Sequence, residues 1–545
     1  MLKKHLFLYA VLFVLALAIA AQGAGVSETQ PVKVVPGGRL EVIGGITVAS
    51  MSGTPREIGV QHGQLLGKRL LETEAAFMRL MPEIPGGAIG RWLVRQYVMY
   101  KLSDIEKYLT TDELDEFKGV AEADPKHKGD YREILYYHVL QDIGQNYACT
   151  GLAVEGDASR LVGPVAGRNF DLDNRGALDP LRTVFYCRPS TGHAFAHVAW
   201  PGMLGAVSGM NDAGLSVMEF SAKSDGTSLE GVPVAFLVKR ILRGASDIDQ
   251  AVSIIKDTRR MGPNIFLLAD TKRAVAVEFD SEKVCVRGAI NGLLPVANHF
   301  FMPGLACDVK NVRQARYGDS RQRYDRMSRI AQRADRVGIS EMAAVLRDHG
   351  GLDDRPLAWG DPEAINNYKC AHSVIFDTAE RVFYISKGPM AYGEYAGFRL
   401  TKAGLEKAGD LPGDGYPVSP EGMRSAASDS LMQRAVQEEK DGKSDDAVML
   451  AEKAATEDTR NYTAELYIGK VRMSAGDYSG AYSAYNAAST SAAKGSGSLA
   501  RALAGRGEAL MRLGKKDEAV RDFDAALSIG CSEEADKIAA IGLGR

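Results

Sequence analysis

The chain has few cysteines, almost no net charge and few long apolar runs, and each shortage removes a class of protein. Its six cysteines, Cys149, Cys187, Cys285, Cys307, Cys370 and Cys531, are scattered through 545 residues with no C-x-x-C pair. That excludes a zinc-ligand spacing and a disulfide framework, while leaving one or two bridges open. A formal charge of −3 offers nothing to hold nucleic acid. Beyond the N-terminus no apolar run reaches the roughly 20 residues a membrane span prefers. The N-terminal run, Leu6 to Ala21 behind Lys3 and Lys4, reads as a secretory signal peptide within residues 1–24, with Ala18-Ile19-Ala20 as cleavage signal. The alternative is an uncleaved anchor, for which the run is short. No cysteine follows it to carry a lipid. The chain is therefore read as exported, to the periplasm or the extracellular space, with no stable span in the mature protein.

What is present is a folded globular composition, 45 % hydrophobic and 25 % charged, in a chain long enough for two or three domains. A repeat occupies residues 428–545. Gly442, Gly476 and Gly514 each sit in a Gly-Lys or Gly-Asp turn. Seven residues earlier stand Ala435, Gly469 and Gly507, five later Ala447, Ala481 and Ala519, and twelve later Ala454, Ala488 and Ala526. Tyr485 and Phe523 fill a bulky position nine after the turn, where the first repeat has Ala451. Small residues at helical spacing let antiparallel helices pack closely, and the bulky side chain wedges into the next pair. The pattern resembles tetratricopeptide repeats, whose period is about 34 residues, and predicts a short solenoid rather than a plain bundle.

Residues 401–427, rich in Gly, Pro, Ser and charge, read as a linker. Before it, 25–148 and 149–400 form one mixed domain. Glu57 to Met81 has helical periodicity, the segments after Cys149 read as paired strands, Arg321 to Leu346 as helix, and Ser373 to Ser386 as a last strand pair. Strands, helices and strands again predict an α+β layered domain.

The chemistry concentrates at Cys149-Thr150 and at Gly167-Arg168-Asn169-Phe170-Asp171. A turn at Glu155-Gly156-Asp157 folds the second segment back, so Arg168 and Asp171 return beside Cys149 as a hairpin. A thiol near a fixed cation loses its proton more readily, and the thiolate is the nucleophile. The plain alternative is a small buried hydrophobe. His62, His299 and His372 are candidates for a Cys-His pair, though lone histidines are more often packed.

Six segments occur in order: Gly59-Val60-Gln61-His62-Gly63-Gln64, Cys149-Thr150, Gly167 to Asp171, Gly209 to Leu215, Ala297-Asn298-His299-Phe300, and Asp319 to Tyr324. Together they resemble the autoproteolytic acyltransferases and hydrolases typified by acyl-coenzyme A:6-aminopenicillanate acyltransferase, cousins of choloylglycine hydrolase in the N-terminal-nucleophile superfamily. The resemblance runs from about Glu41 to Leu400. It implies an αββα sandwich of two antiparallel sheets and no metal or organic cofactor. It also implies cleavage between Ala148 and Cys149, after which the new α-amine of Cys149 acts as base for its own thiol. Arg168 would favour the thiolate, Asp171 would hold the amine, and Arg323 would support the charges around them. Asn298 would donate to the oxyanion, a contribution of roughly 3 kcal/mol. Relatives often place a second oxyanion asparagine after the Gly-Leu strand; here Ser221 is the nearest candidate. Each residue has a plainer role open to it: turn closure for Asp171 and Asn298, a surface cation for Arg168 and Arg323.

Two readings of different class follow. One is an exported, self-cleaving hydrolase or acyltransferase acting on a linear amide of a small acylated or peptide-like substrate through an acyl-Cys149 thioester. The other is a protein-binding scaffold whose repeats hold a partner beside an inactive sandwich.

Overall fold

The computed structural model describes residues 32–80, 87–124, 130–144, 147–173 and 176–545. The predicted signal peptide, 1–24, lies outside the described residues, as do Met81, Asn146 and Asn174. Among the described residues no helix is long and apolar enough to cross a membrane, and all six cysteines are free.

The strands are β1 (Lys33–Val35), β2 (Gly38–Ile43), β3 (Ile46–Gly53), β4 (Tyr147–Val154), β5 (Val165–Leu172), β6 (Thr183–Pro189), β7 (Phe195–Ala199), β8 (Ser208–Asn211) and β9 (Ser216–Ser221). Then come β10 (Asn264–Ala269), β11 (Ala274–Phe279), β12 (Val284–Gly288), β13 (Leu293–Val296), β14 (Cys370–Asp377), β15 (Val382–Ser386), β16 (Tyr395–Leu400) and β17 (Leu405–Lys407). One sheet runs β1-β2-β3-β6-β7-β8-β9-β10-β11-β12 and the other β13-β4-β5-β14-β15-β16-β17. Pairing is antiparallel except between β3 and β6. The sheets meet where β4 packs on β9 and β10. Helices Pro55–Leu80, Val234–Gly244 and Ile248–Asp257 cover the first sheet, and Ser320–Arg333 and Ile339–Leu346 cover the second. The layers are therefore helix, sheet, sheet, helix.

Strand alternation sorts the core. Cys149 and Ala153 of β4, with Ala166 and Phe170 of β5, enter the large cluster between the sheets. Leu152, Val154 and Val165 point the other way, onto Met327, Met342 and Leu346 of the covering helices. Gly151 has a steric reason: a Cβ there would lie 2.4 Å from the Phe220 ring across the sandwich. The first long helix starts at a capping box, in which Thr54 N–H donates to Glu57 (2.7 Å) and Glu57 N–H to Thr54 Oγ1 (3.3 Å). Gly59 then lets the helix Thr111–Ala123 cross closely, since a Cβ at 59 would lie 2.1 Å from Glu116 O.

Several expected elements have different limits. Arg321 to Leu346 is two helices, broken at Ala334–Gly338. Ser373 to Ser386 is not the last strand pair, because β16 and β17 extend the same sheet. The segment 401–427 contains β17, and the helix Pro420–Lys440 begins inside it. Its glycines and prolines shape turns between ordered pieces.

The C-terminal region is all helix, in hairpins followed by a final Glu533–Gly542 helix. Gly442, Gly476 and Gly514 turn the hairpins with φ of 78°, 79° and 79°, the left-handed region glycine adopts freely. A Cβ at Gly469 would lie 2.7 Å from the Tyr485 ring, and one at Gly505 of the following helix 2.6 Å. Phe523 is wedged in the same way between Gly507 and Gly542.

Candidate active site

The hairpin of β4 and β5 opposes Cys149 to Phe170, Thr150 to Asn169 and Gly151 to Arg168. Cross-strand partners share a face, so the thiol and Arg168 lie diagonally on the inner face of the sheet. Arg168 Nη2 is 2.6 Å from Cys149 Sγ. Its Nη1 donates to Val207 O (3.0 Å) and Ser208 Oγ (3.1 Å) on the opposite sheet. The guanidinium sits 4.8 Å from the ring centroids of both Phe170 and Phe220. Cys149 and Arg168 are each 0 % exposed. Burial pushes the thiol up to about 12, against the opposing pull of Arg168.

Asp171 and Asn169 occupy the outer face of β5, toward the helices. The sequence expectation that Arg168 and Asp171 both return beside Cys149 holds, but they approach from opposite faces of the strand. The backbone of Cys149 joins the two halves. Its N–H donates to Asn298 Oδ1 at 2.7 Å, and its carbonyl accepts from Arg323 Nη1 at 2.6 Å. Arg323 also donates to Thr150 Oγ1 (2.5 Å), Asn298 Oδ1 (3.0 Å) and Asp319 (3.0 Å), and stands 3.9 Å from Asp171. Asp319 and Arg323 are one helical turn apart, which lets the helix cap carboxylate brace the buried guanidinium.

Asp171 Oδ2 accepts from Asn367 Nδ2 at 3.0 Å, and burial pushes its carboxyl up to about 6 despite Arg323. Asn298 Nδ2 donates to Ser221 O (2.9 Å) and Ser221 Oγ (3.2 Å). Ser221 Oγ in turn donates to Tyr147 O at 2.7 Å. Ser221 thus stands beside the bond before Cys149, bonded to the residue preceding Ala148. A cleft of about 270 Å³ opens on this side, lined by Ala148, Ser221, Asn298, Asp319, Lys223 and Lys369. The bond between Ala148 and Cys149 therefore lies with its acyl half on the cleft and its thiol in the sealed core.

The structure adds residues that sequence reading missed. Tyr147 OH donates to Glu219 Oε1 at 2.8 Å, and burial pushes Glu219 up to about 7. A carboxylate inside the apolar strand Ser216–Ser221 was the signal for it. Asn367 had no such signal. The histidines are bonded to groups other than the thiol, and His299 and His372 flank the site. His62 Nε2 accepts from Gly202 N–H (2.8 Å), and His299 Nδ1 meets Ser320 Oγ (2.7 Å), which also accepts from Asn298 N–H. His372 stacks on Phe170, with Nε2 3.0 Å from the Ser208 Oγ that Arg168 holds. Burial pulls His62 and His299 down to about 3.

Residues 159–388 match the family model described as acyl-coenzyme A:6-aminopenicillanic acid acyl-transferase. The segment is similar to that family. It is less than half of the chain, contains Arg168, Asp171, Asn298 and Arg323, and begins ten residues after Cys149. An uncharacterized protein of Archaeoglobus fulgidus is 23 % identical over 265 residues, 44 % of this chain and 44 % of that protein. Protein dcd1A of Dictyostelium discoideum is 24 % identical over 269 residues, 44 % of this chain and 60 % of that protein. The chain thus spans about half the length of these curated relatives. Among solved structures, a Caenorhabditis elegans ortholog of N-acylethanolamine-hydrolyzing acid amidase aligns over 42 % of this chain and 93 % of its own, at 16 % identity and a TM-score of 0.32.

Proposed function

We propose that this chain is an exported, self-cleaving cysteine hydrolase or acyltransferase that acts on a linear amide bond of a small acylated substrate. The observation that carries the reading is the 2.6 Å contact between Arg168 Nη2 and Cys149 Sγ, with the Cys149 backbone held at its N–H by Asn298 and at its carbonyl by Arg323. The family match over residues 159–388 supports acyl transfer as the reaction type.

In maturation, Cys149 Sγ attacks the Ala148 carbonyl carbon. The C–S bond forms, the C–N bond breaks, and the thiol proton passes to the departing nitrogen. Water then hydrolyses the thioester, leaving Ala148 with a carboxylate and Cys149 with a free α-amine. That amine has an ordinary pKa near 8, so at neutral pH it accepts the thiol proton in each later cycle. The amide substrate acylates Cys149 and releases its amine; water or a second amine takes the acyl group. Asn298, and Ser221 beside it, are the proposed oxyanion donors. Asp171 holds the ammonium form of the α-amine.

The signal-like residues 3–24 support export, and the hairpin register supports a tetratricopeptide assignment for the C-terminal helices, with a protein partner as their occupant. The catalytic reading is tested with p-nitrophenyl acetate as acyl donor. Mass spectrometry of the large fragment should find one acetyl group on Cys149, removed by hydroxylamine and absent from Cys149→Ala. A chain that stays unacetylated overturns the proposal.

A further inference from the structure

The helix Ile339–Leu346 and β14 are joined by residues 347–369, and this strap touches the helical region on one side and the candidate active site on the other. On the outer side, Arg355 donates to Thr490 O (2.7 Å) and Ala492 O (2.6 Å). Trp359 N–H donates to Ser425 Oγ at 2.6 Å, and His349 and Trp359 stack on Tyr416. Tyr462 OH donates to Asp361 Oδ1 (3.1 Å), and Ser498 Oγ to Glu363 Oε1 (2.8 Å). Leu357 and Ala364 close a small apolar cluster with Ala493. On the inner side, Asn169 Nδ2 donates to Ile365 O (3.0 Å), Asn367 Nδ2 to Asp171 Oδ2 (3.0 Å) and Leu172 N–H to Lys369 O (2.7 Å).

Asp361 and the run from Glu363 through Asn367 are buried, so the two sets of contacts are separated by only a few residues of packed chain. Buried carboxyl groups need their partners. Asp361 and Glu363 find theirs on the helical region, which fixes the height of the strap above β5. Packed segments of this kind do not deform continuously; a shift at one end is felt at the other.

We propose that Asn367 is a positioning residue for Asp171, seated there by the docking of the helical region on Asp361 and Glu363. The helical region is then part of the catalytic apparatus, and the same strap sets Lys369 in the wall of the cleft. This inference rests on the reading of Asp171 as the anchor of the Cys149 amine.

Asp171 faces Arg323 and Asp319 from the covering helix and its cap, Lys369 and Cys370 from the strap and β14, and Cys149 from β4. The amide of Asn367 donates to the ionised carboxylate and so favours it. Without that donor Asp171 stays protonated to higher pH, the ammonium of Cys149 loses its anchor, and the acid limb of thiol reactivity moves up.

The test uses the full chain and measures Cys149 alkylation by iodoacetamide across pH. In Asn367→Leu the acid limb should rise by about one pH unit, a roughly fivefold slowing at the wild-type midpoint and about tenfold well below it. Tyr462→Phe combined with Ser498→Ala should shift the limb in the same direction, and adding Asn367→Leu to that pair should move it no further than Asn367→Leu alone. Each hydroxyl deletion by itself is read the same way, with a smaller shift, if the pair does not fold. A purely structural role would lower the melting temperature and leave the limb in place. An unmoved limb in the hydroxyl variants, with an N-terminus at Cys149 intact, overturns the inference alone. A wild-type chain with no cut and no reactive thiol overturns the catalytic reading and the inference with it.

Discussion

The backbone N–H of Cys149 donates to Asn298 Oδ1 at 2.7 Å, while Asn298 Nδ2 is held by Ser221. One side-chain amide thus grips the nitrogen of the Ala148–Cys149 bond with its oxygen and keeps its donors on the cleft side. Asn298→Asp keeps the acceptor and removes the donors. Chain cleavage, followed on denaturing gels, should slow by roughly a hundredfold or more. Unchanged cleavage would remove Asn298 from the oxyanion role.

Arg168 is the cation nearest the thiol, and its other bonds tie it to Val207 and Ser208 on the facing sheet. Arg168→Met should raise the thiol further and cut Cys149 alkylation at pH 8 by about tenfold or more, since one pKa unit is a tenfold change in thiolate. Arg168→Lys, which keeps the charge and loses the second arm, should fall between the two.

Glu219 is fully buried and pushed up to about 7 from an ordinary value of 4.5. The folded protein therefore binds a proton here that the unfolded chain has lost, and this group's contribution to stability falls as pH rises from about 4.5 through 7. Glu219→Gln removes the titration. Its melting temperature relative to wild type should increase between pH 5 and pH 8, by an amount equivalent to something on the order of 3 kcal/mol. A difference that is flat with pH would contradict this. The same substitution should speed thiol alkylation at neutral pH, because the Glu219 charge disfavours the thiolate.

A Cβ at position 59 would meet the Glu116 carbonyl at 2.1 Å. Gly59→Ala should force the helix Pro55–Leu80 away from Thr111–Ala123 and cost about 1–3 kcal/mol in thermal or denaturant unfolding. Both helices precede Cys149, so after cleavage the smaller fragment should separate from the larger at lower denaturant than in wild type. An unchanged midpoint would show that the crossing relaxes freely.

Much of this was legible in the sequence because strands and turns write short-range signals. Glu155-Gly156-Asp157 and Asn211-Asp212-Ala213-Gly214 mark hairpins that β4–β5 and β8–β9 form, and Gly442, Gly476 and Gly514 mark helical turns. Cys149, Arg168, Asn298 and Arg323 stand together in the fold. Which face each would use was not legible, since it depends on register across β4 and β5 and on the helices above them. Asn367 was invisible for a related reason: it reaches Asp171 from a long connection whose course is set by helices more than ninety residues away, at Tyr462 and Ser498. The extent of the second sheet was misjudged because β17 is three residues of mixed polarity inside a stretch rich in turn residues.

The measurement closest to the central claim is N-terminal sequencing of the purified mature chain after denaturation. A second N-terminus at Cys149, with a small fragment ending at Ala148, is the expected result, and Cys149→Ala should abolish it. A single uncut chain from wild type, with no thiol reactivity at Cys149, would contradict the proposed chemistry.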